Sequence, residues 1–512
     1  MMRCASRWCM CTSVLVAACD GPRALGQCEP LWLPPTQPEL AGHIFDLCSH
    51  DGHVYAAGNF GEDSWPPGWV QRWNGLYWEL LPTGPNGIDG PTSWTYSLME
   101  WQGMVLVGCH YWIGIGEQSS GVAAYDGANW WPLGHAPEHI VALAPAEDGG
   151  VLALSLAEAP TVYRYDGAGW TIVGLGPPDI FDEGRVCLAE YQGKVIVGMA
   201  GQNFGGDPTL FVIENGVSVP WVQLEYPNFW SGVTSMTIHE GRLVIAGDFS
   251  RVGSVQANSV ASWDGQTWRP FGDGIVLLSH DHVLNVEEVR SIGGSLYVAA
   301  FGESNHVWVG PVARWTGSAW VGHGWPWKVV WAWTLAGQGT EIVLGGFKDD
   351  WGDYANFSRC SPTGAPWIAW QPDDQTTPPW TSVTLASNAA GGYVVDYRWY
   401  KDGSPLSDGP TPHGSVVSGS HEAFLTVLGC RLQDEGLYWC VISNGCGSAE
   451  SRHAQLQVCI ADVNSDGFVN GDDFDLFAGW FEDALQYADF NSDGFVNGDD
   501  YDKFAERFDA GC

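Results

Sequence analysis

The sequence predicts a mainly β chain in three parts: an array of about seven four-stranded sheets, a β-sandwich, and a small helical metal-binding module. Three observations predict it. The 512 residues include 67 Gly, 30 Pro and 30 Trp, a composition suited to short strands joined by tight turns. A Trp-bearing motif returns at near-constant spacing through the first 370 residues. Two near-identical acidic loops lie close to the end. With 45% hydrophobic and 16% charged residues the chain has ample material for cores. Its 59 acidic residues against 21 basic ones, a formal charge of −38, exclude a phosphate-binding basic face and hence nucleic acid. They equally exclude docking on an anionic membrane. After the N-terminus no apolar run approaches the roughly 20 residues of a transmembrane span.

Residues 1–26 read as a signal peptide. Arg3 and Arg7 precede the apolar stretch Cys11 to Cys19, and Ala24-Leu25-Gly26 is a small-x-small cleavage site. Val16-Ala17-Ala18-Cys19 offers an alternative, a lipobox whose Cys19 would carry lipid. Cleavage after Gly26 leaves ten of 14 Cys, an even number that in an exported chain favours disulfides. Cys440 and Cys446 flank the turn Ser443-Asn444-Gly445, and Cys459 and Cys512 bracket the last module. Both pairs are expected bridges.

Residues 27–370 hold the repeat. Trp73-Asn74-Gly75-Leu76-Tyr77-Trp78 returns at Tyr125–Trp130, Tyr165–Trp170, Trp263–Trp268 and Trp315–Trp320, with degenerate copies near Glu214-Asn215-Gly216 and from Cys360 to Trp367. The seven copies lie 40 to 52 residues apart. Alternating strands such as Leu243–Gly247 precede each copy, and Asp-Gly or Asn-Gly suits a type I′ hairpin. Four strands per unit of roughly 45 residues is the arithmetic of a β-propeller blade. The array resembles the Trp-Asp-Gly repeats of exported bacterial β-propellers.

Carboxylate candidates for catalysis in this region are too numerous to choose from. Glycoside hydrolysis needs two carboxylates across a cleft; Asp281, Glu287 and Glu288 are among many candidates, and none is assigned a catalytic role. His280 and His282 have a metal-like spacing but no third ligand. Trp65, Trp94, Trp112, Trp230, Trp325, Trp327, Trp331, Trp333 and Trp351 fall outside the closing positions of the motif. Exposed Trp rings beside acidic residues would stack on sugars.

The Pro-rich run 371–379 reads as a linker, and residues 380–458 as the sandwich. Asp434-Glu435-Gly436-Leu437-Tyr438-Trp439-Cys440 matches the Asp-x-Gly-x-Tyr-x-Cys signature, with Trp399 at the core position. The segment thus resembles an immunoglobulin-like domain, which implies a tyrosine corner at Tyr438. The customary second-strand Cys is missing around Ser382 to Ser387.

Residues 459–512 hold the sharpest chemistry. In the first loop Asp462, Asn464, Asp466, Asn470 and Asp473 supply oxygen at positions 1, 3, 5, 9 and 12, and Phe468 its carbonyl at position 7. Asp489, Asn491, Asp493, Phe495, Asn497 and Asp500 repeat the set 27 residues later. Gly467 and Gly494 at position 6 permit the turn. Six to eight hard oxygens are what Ca²⁺ takes, so two calcium ions are the expected cofactors. Short amphipathic helices follow, with Phe474, Phe477 and Phe481 on one face and Tyr501, Phe504 and Phe508 on the other. The module resembles a dockerin, more narrowly the dockerin-type domains ending in Gly-Cys, here Gly511-Cys512. That resemblance implies a cohesin-like or other surface receptor, read by Gly471, Asp472, Gly498 and Asp499. The resulting expectation is a secreted or cell-surface, non-catalytic binding protein anchored by its C-terminus, with polysaccharide as a candidate ligand. The alternative is a propeller glycoside hydrolase or polysaccharide lyase.

Overall fold

The computed structural model describes residues 31–33, 42–60, 70–75, 77–81, 94–113, 119–178, 180, 185–202, 209–226, 230–276, 286–304, 307–323, 331–347, 356–390, 396–491 and 493–511. The signal peptide, Cys19, Cys512, His280, Asp281, His282, Trp65, Trp325, Trp327 and Trp351 lie outside them, as do the side chains of Trp112 and Trp230. Among the described residues the fold is mainly β.

The repeat region forms antiparallel four-stranded units in chain order. The first comprises Ile44–His50, His53–Gly58, Val70–Trp73 and Trp78–Leu80; the second Thr95–Trp101, Met104–Ile113, Ser119–Tyr125 and Trp130–Pro132. The third runs from Ile140–Pro145 to Trp170–Leu175, the fourth from Arg185–Tyr191 to Val217–Pro220. The fifth begins at Trp230–His239 and ends at Trp268–Pro270, and pairing of Ala200 with Gly232 fuses it to the fourth. The sixth spans Val286–Ile292 to Trp320–Gly322. The seventh contains Trp331–Gln338, Glu341–Phe347 and Phe357–Ser361, and its outer strand is Leu31–Trp32 from the other end of the chain.

That last strand corrects the sequence reading. Trp367 was expected to close the seventh copy. Instead Trp32 pairs with Cys360, while Trp367–Trp370 pairs with Asn388–Ala390 of the sandwich. The Trp367 indole donates to the buried Glu341 carboxylate at 2.9 Å, and Ile368 joins the sandwich core. The stretch 371–379 is likewise more than a linker, because Gln375–Thr377 runs parallel to Ala454–Val458.

The five full copies of the motif form four-residue loops rather than type I′ turns, with only the Gly in a left-handed backbone, as at Gly127 (φ 98°) and Gly265 (φ 99°). The degenerate copy keeps the expected two-residue hairpin, with Asn215 (φ 51°) and Gly216 (φ 79°) between the paired Glu214 and Val217. The preceding side chain caps the loop: Asp126 Oδ1 accepts from the amides of Ala128 and Asn129 at 2.9 and 2.6 Å. Asp166 and Asp264 do the same in their copies, and Asn74 and Thr316 each take one such bond. These amide bonds favour the ionised form, and the Asp264 carboxyl is held down at about 2.

The closing Trp fills the space between sheets. Trp130 and Tyr125 pack with Tyr55 and Val105 between the first and second sheets. Trp73 and Trp78 pack with Ala336 and Val343 between the seventh and the first. A second device repeats at the junctions. Asp46, Ser97, Ser235, Glu288 and Thr334 each follow a β-bulge in the first strand of their sheet. Each accepts a hydrogen bond from the next sheet's first strand: Leu98 N to Asp46 (2.7 Å), Leu143 N to Ser97 (3.1 Å), Val289 N to Ser235 (3.2 Å) and Leu335 N to Glu288 (2.6 Å). The fifth, Leu47 N to Thr334 at 3.2 Å, joins the first sheet to the seventh.

The sandwich packs Gln375–Thr377, Ala454–Val458, Gly436–Asn444 and Asp396–Lys401 against Val383–Ala386, Phe424–Leu428 and Val416–Ser418. Trp399, Leu425, Ile442 and Leu456 are fully buried between them. The Tyr438 hydroxyl donates to Asp434 O at 2.7 Å, which forms the tyrosine corner. The C-terminal unit holds helices α1 (Gly471–Glu482) and α2 (Gly498–Ala510). Phe477 and Phe504 stack at 4.0 Å where the helices meet. The same apolar cluster runs on into the sandwich through Val458, Ile460 and Phe490.

Candidate metal centre

Each acidic loop leads directly into a helix, and the helix caps arrange its last donors. Asn470 and Asn497 are the N-caps: their side chains accept from the amides of Asp472 and Asp499, both at 2.8 Å. Asp473 and Asp500 complete the capping boxes by accepting from the amides of Asn470 and Asn497, both at 3.0 Å. Their other oxygens accept from Asn464 N and Asn491 N, at 3.2 and 3.1 Å, so each reaches across its loop. Both carboxylates are fully buried.

At the start of each loop Asp462 and Asp489 do the mirror task. Asp462 accepts from the amides of Asp466 and Gly467, both at 3.1 Å; Asp489 accepts from Asp493 and Gly494, at 3.1 and 2.9 Å. Gly467 (φ 86°) and Gly494 (φ 89°) supply the left-handed turn. A Cβ there would meet nothing within 4 Å, so backbone conformation, not space, requires Gly. Asn464 and Asp466 lie side by side at 3.1 Å, as do Asn491 and Asp493.

The donor set is oxygen throughout, and four of its carboxylates are buried and accept hydrogen bonds from main-chain amides. Each such oxygen keeps a lone pair, the chemistry a hard cation requires. Among the described residues no three His, Cys, Asp or Glu side chains already gather as a ligand set. Residues 459–512 carry 14 acidic and 2 basic residues, a net charge of 2 − 14 = −12. Gly471, Asp472, Gly498 and Asp499 are exposed in the first turns of α1 and α2. Phe468 and Phe495 are also exposed, each 72%.

The sandwich side of this unit carries residues that sequence reasoning missed. Gln433 Nε2 donates to Asn491 O at 2.8 Å and to Phe490 O at 3.4 Å, inside the second loop. Arg507 on α2 pairs with Glu435 at 2.9 Å, and the other Glu435 oxygen accepts from Val458 N. The Arg431 guanidinium lies 3.2 Å over the Trp380 ring. No spacing or motif marks these residues, since their role comes from two modules meeting.

The expected Cys440–Cys446 bridge does not form. Cys440 is a buried free thiol, whereas Cys446 and Cys459 are each disulfide-bonded. Cys440 sits in the middle of Gly436–Asn444, with its side chain inside the sandwich core. The chain turns only after Asn444, which pairs with Gly447. Position 512, the expected partner of Cys459, lies outside the described residues.

Of the carboxylates noted in the repeat region, Glu287 and Glu288 have structural partners. Glu287 sits 3.1 Å from Arg185 Nε and accepts from the Trp331 indole at 3.3 Å. Glu288 pairs with Arg290, which also bonds Asp46 and Leu47 O. Burial pushes both Glu carboxyls above their usual range, with the arginines pulling the other way. Trp94 is half exposed, while Trp333 packs on Phe45 and beneath the Arg185 guanidinium.

The outer face of the larger sandwich sheet carries a ring stack. Tyr400 and Trp439 lie 5.5 Å apart with an interplanar angle of 9°, and Trp439 and His453 lie 4.2 Å apart at 15°. Leu437, 41% exposed, continues the strip along the same strand.

Residues 365–444 match the family described as Immunoglobulin domain. Similar curated proteins include Hemicentin-1 of Homo sapiens, 36% identical over 90 residues, which are 17% of this chain and 2% of that protein. Roundabout homolog 3 of Homo sapiens is 33% identical over 111 residues, 20% of this chain and 8% of that protein. Among solved structures, titin domain M7 is 26% identical, with 18% of this chain and 92% of that chain covered and a TM-score of 0.16. The chain thus spans only a small part of these curated relatives. The matches carry an immunoglobulin domain and overturn the expected function. The similar proteins are immunoglobulin-domain proteins, and they support neither a dockerin-anchored glycan binder nor a propeller glycosidase or lyase. A cohesin-like or polysaccharide partner, a bacterial origin and lipidation at Cys19 are left without support.

Proposed function

We propose that the chain is a receptor-like recognition protein of the cell exterior, and that its immunoglobulin sandwich engages a protein partner. The observation that carries this reading is the sandwich itself, matched over residues 365–444, with the Tyr400–Trp439–His453 stack on its outer face. Stacked aromatic rings offer a large, stiff contact area at low conformational cost, the composition of binding hot spots. No helix among the described residues is long and apolar enough to cross a membrane.

The repeat region acts in this reading as a rigid platform, seven sheets closed into a propeller. Support comes from the seventh-to-first junction, which repeats both the apolar cluster and the hydrogen bond of other junctions. The twin loops each take one Ca²⁺ through Asp462, Asn464, Asp466, Phe468 O, Asn470 and Asp473, and through their counterparts from Asp489 to Asp500. Cation binding offsets the −12 charge that would otherwise push the helices apart.

The test is binding of the full chain to cells that display the partner, compared with Trp439→Ala. The ring is partly exposed on a sheet face, so the variant keeps the fold. The expected outcome is at least a tenfold weaker association at an unchanged melting temperature, as for an interface anchor. Equal binding by the two proteins would remove the sandwich face from the reading.

A further inference from the structure

The twin loops repeat each other bond for bond internally, yet their surroundings differ. Gln433 donates into the main chain of the second loop, at Asn491 O (2.8 Å) and Phe490 O (3.4 Å). No sandwich side chain does this for the first loop among the described residues. Gln433 is itself held rigidly. It lies in the 3-10 turn Leu432–Asp434. The next residue, Asp434, is buried, accepts from Arg431 N and Ser415 Oγ, and receives the Tyr438 hydroxyl on its carbonyl. Glu435 then clamps Arg507 of α2. Phe490, at position 2 of the second loop, stacks on Phe477 inside the shared core. The tyrosine corner of the sandwich is therefore the seat of one loop and not the other.

We infer that the two loops are unequal calcium sites, and that Gln433 is a positioning residue that couples the second loop to the sandwich. The inference rests on the calcium reading above. A carbonyl-anchored loop has fewer conformations to lose when the ion binds, so the anchor raises affinity at that loop alone. By linkage the coupling is reciprocal: an ion in the second loop must stabilise the sandwich turn that holds it. An ion in the first loop has no such contact with that turn, because its Val463 reaches the sandwich only through the shared apolar core.

Two measurements on the full chain test this, with CaCl₂ as the only ligand. In titration calorimetry the wild type should show two sites. Gln433→Ala should weaken one of them about fivefold, the value of one neutral hydrogen bond, and leave the other unchanged. In hydrogen exchange, calcium should slow exchange at residues 436–444 in the wild type and in Asp462→Asn, but not in Asp489→Asn. The last comparison does not depend on how Gln433→Ala folds. Equal loss of protection in the two Asp variants, or an equal effect of Gln433→Ala on both sites, would overturn the inference while leaving calcium binding intact. Absence of any calcium heat in the wild type would overturn the calcium reading and this inference with it.

Discussion

Ser387 shows how much one residue decides. It is fully buried, its hydroxyl has no hydrogen-bond partner among the described residues, and it lies beside the thiol of Cys440, itself fully buried. Burial pushes the Cys440 thiol up to about 11, so it is an inert core group. The sequence signals that a second-strand Cys is missing; only the structure shows that Ser387 stands opposite the survivor. Ser387→Cys should therefore form the absent inter-sheet bridge and stabilise the sandwich by about 2–4 kcal/mol. Denaturant unfolding with and without reductant measures it. Two thiols persisting in the oxidised variant would show that the two side chains do not face each other. The Asp of the repeat was legible as a turn residue, but its reason was not. The side chain caps amides across four residues, whereas the sequence suggested backbone tolerance of positive φ.

At the scale of elements, strands and helices were legible wherever alternation or amphipathic spacing marked them. Both C-terminal helices begin one residue after the Asn that the loop pattern placed at position 9. The outer strand of the seventh sheet was illegible, because Leu31–Trp32 is two residues long and pairs with a strand some 330 residues away. Its setting makes it acid-sensitive. The Trp32 indole donates to His323 O at 2.7 Å, and both His323 ring nitrogens are buried without hydrogen-bond partners among the described residues. Burial first, and then Arg314, lower the His323 pKa to about 4 from 6.5. Folding thus keeps this ring neutral while the unfolded chain takes up a proton, so stability falls as pH drops from about 6.5 towards 4. The size is on the order of a few kcal/mol at most, since one pKa unit is worth about 1.4. His323→Phe should flatten the pH dependence of chemical unfolding over that window. An unchanged slope would show that other groups set the acid response.

For the whole molecule, order along the chain was easier to read than association between modules. The repeat spacing gave the number of sheets, and the Asp-x-Gly-x-Tyr-x-Cys run gave the sandwich. The boundary at 371–379 misled because a Pro-rich polar run resembles a tether, yet here it contributes a strand and its Asp373 pairs with Arg452. The seat of the second loop on Gln433 had no sequence signal, and function was misread for a related reason. The acidic loops are the most conspicuous chemistry in the chain, but the comparisons speak through the sandwich. The account therefore rests on the sandwich face as the place where a partner docks. Cross-linking mass spectrometry on the full chain bound to its partner tests this most directly. Adducts should concentrate on residues 396–401, 436–444 and 450–455, around the Tyr400–Trp439–His453 stack. Adducts confined to the first turns of α1 and α2, at Asp472 and Asp499, would contradict it.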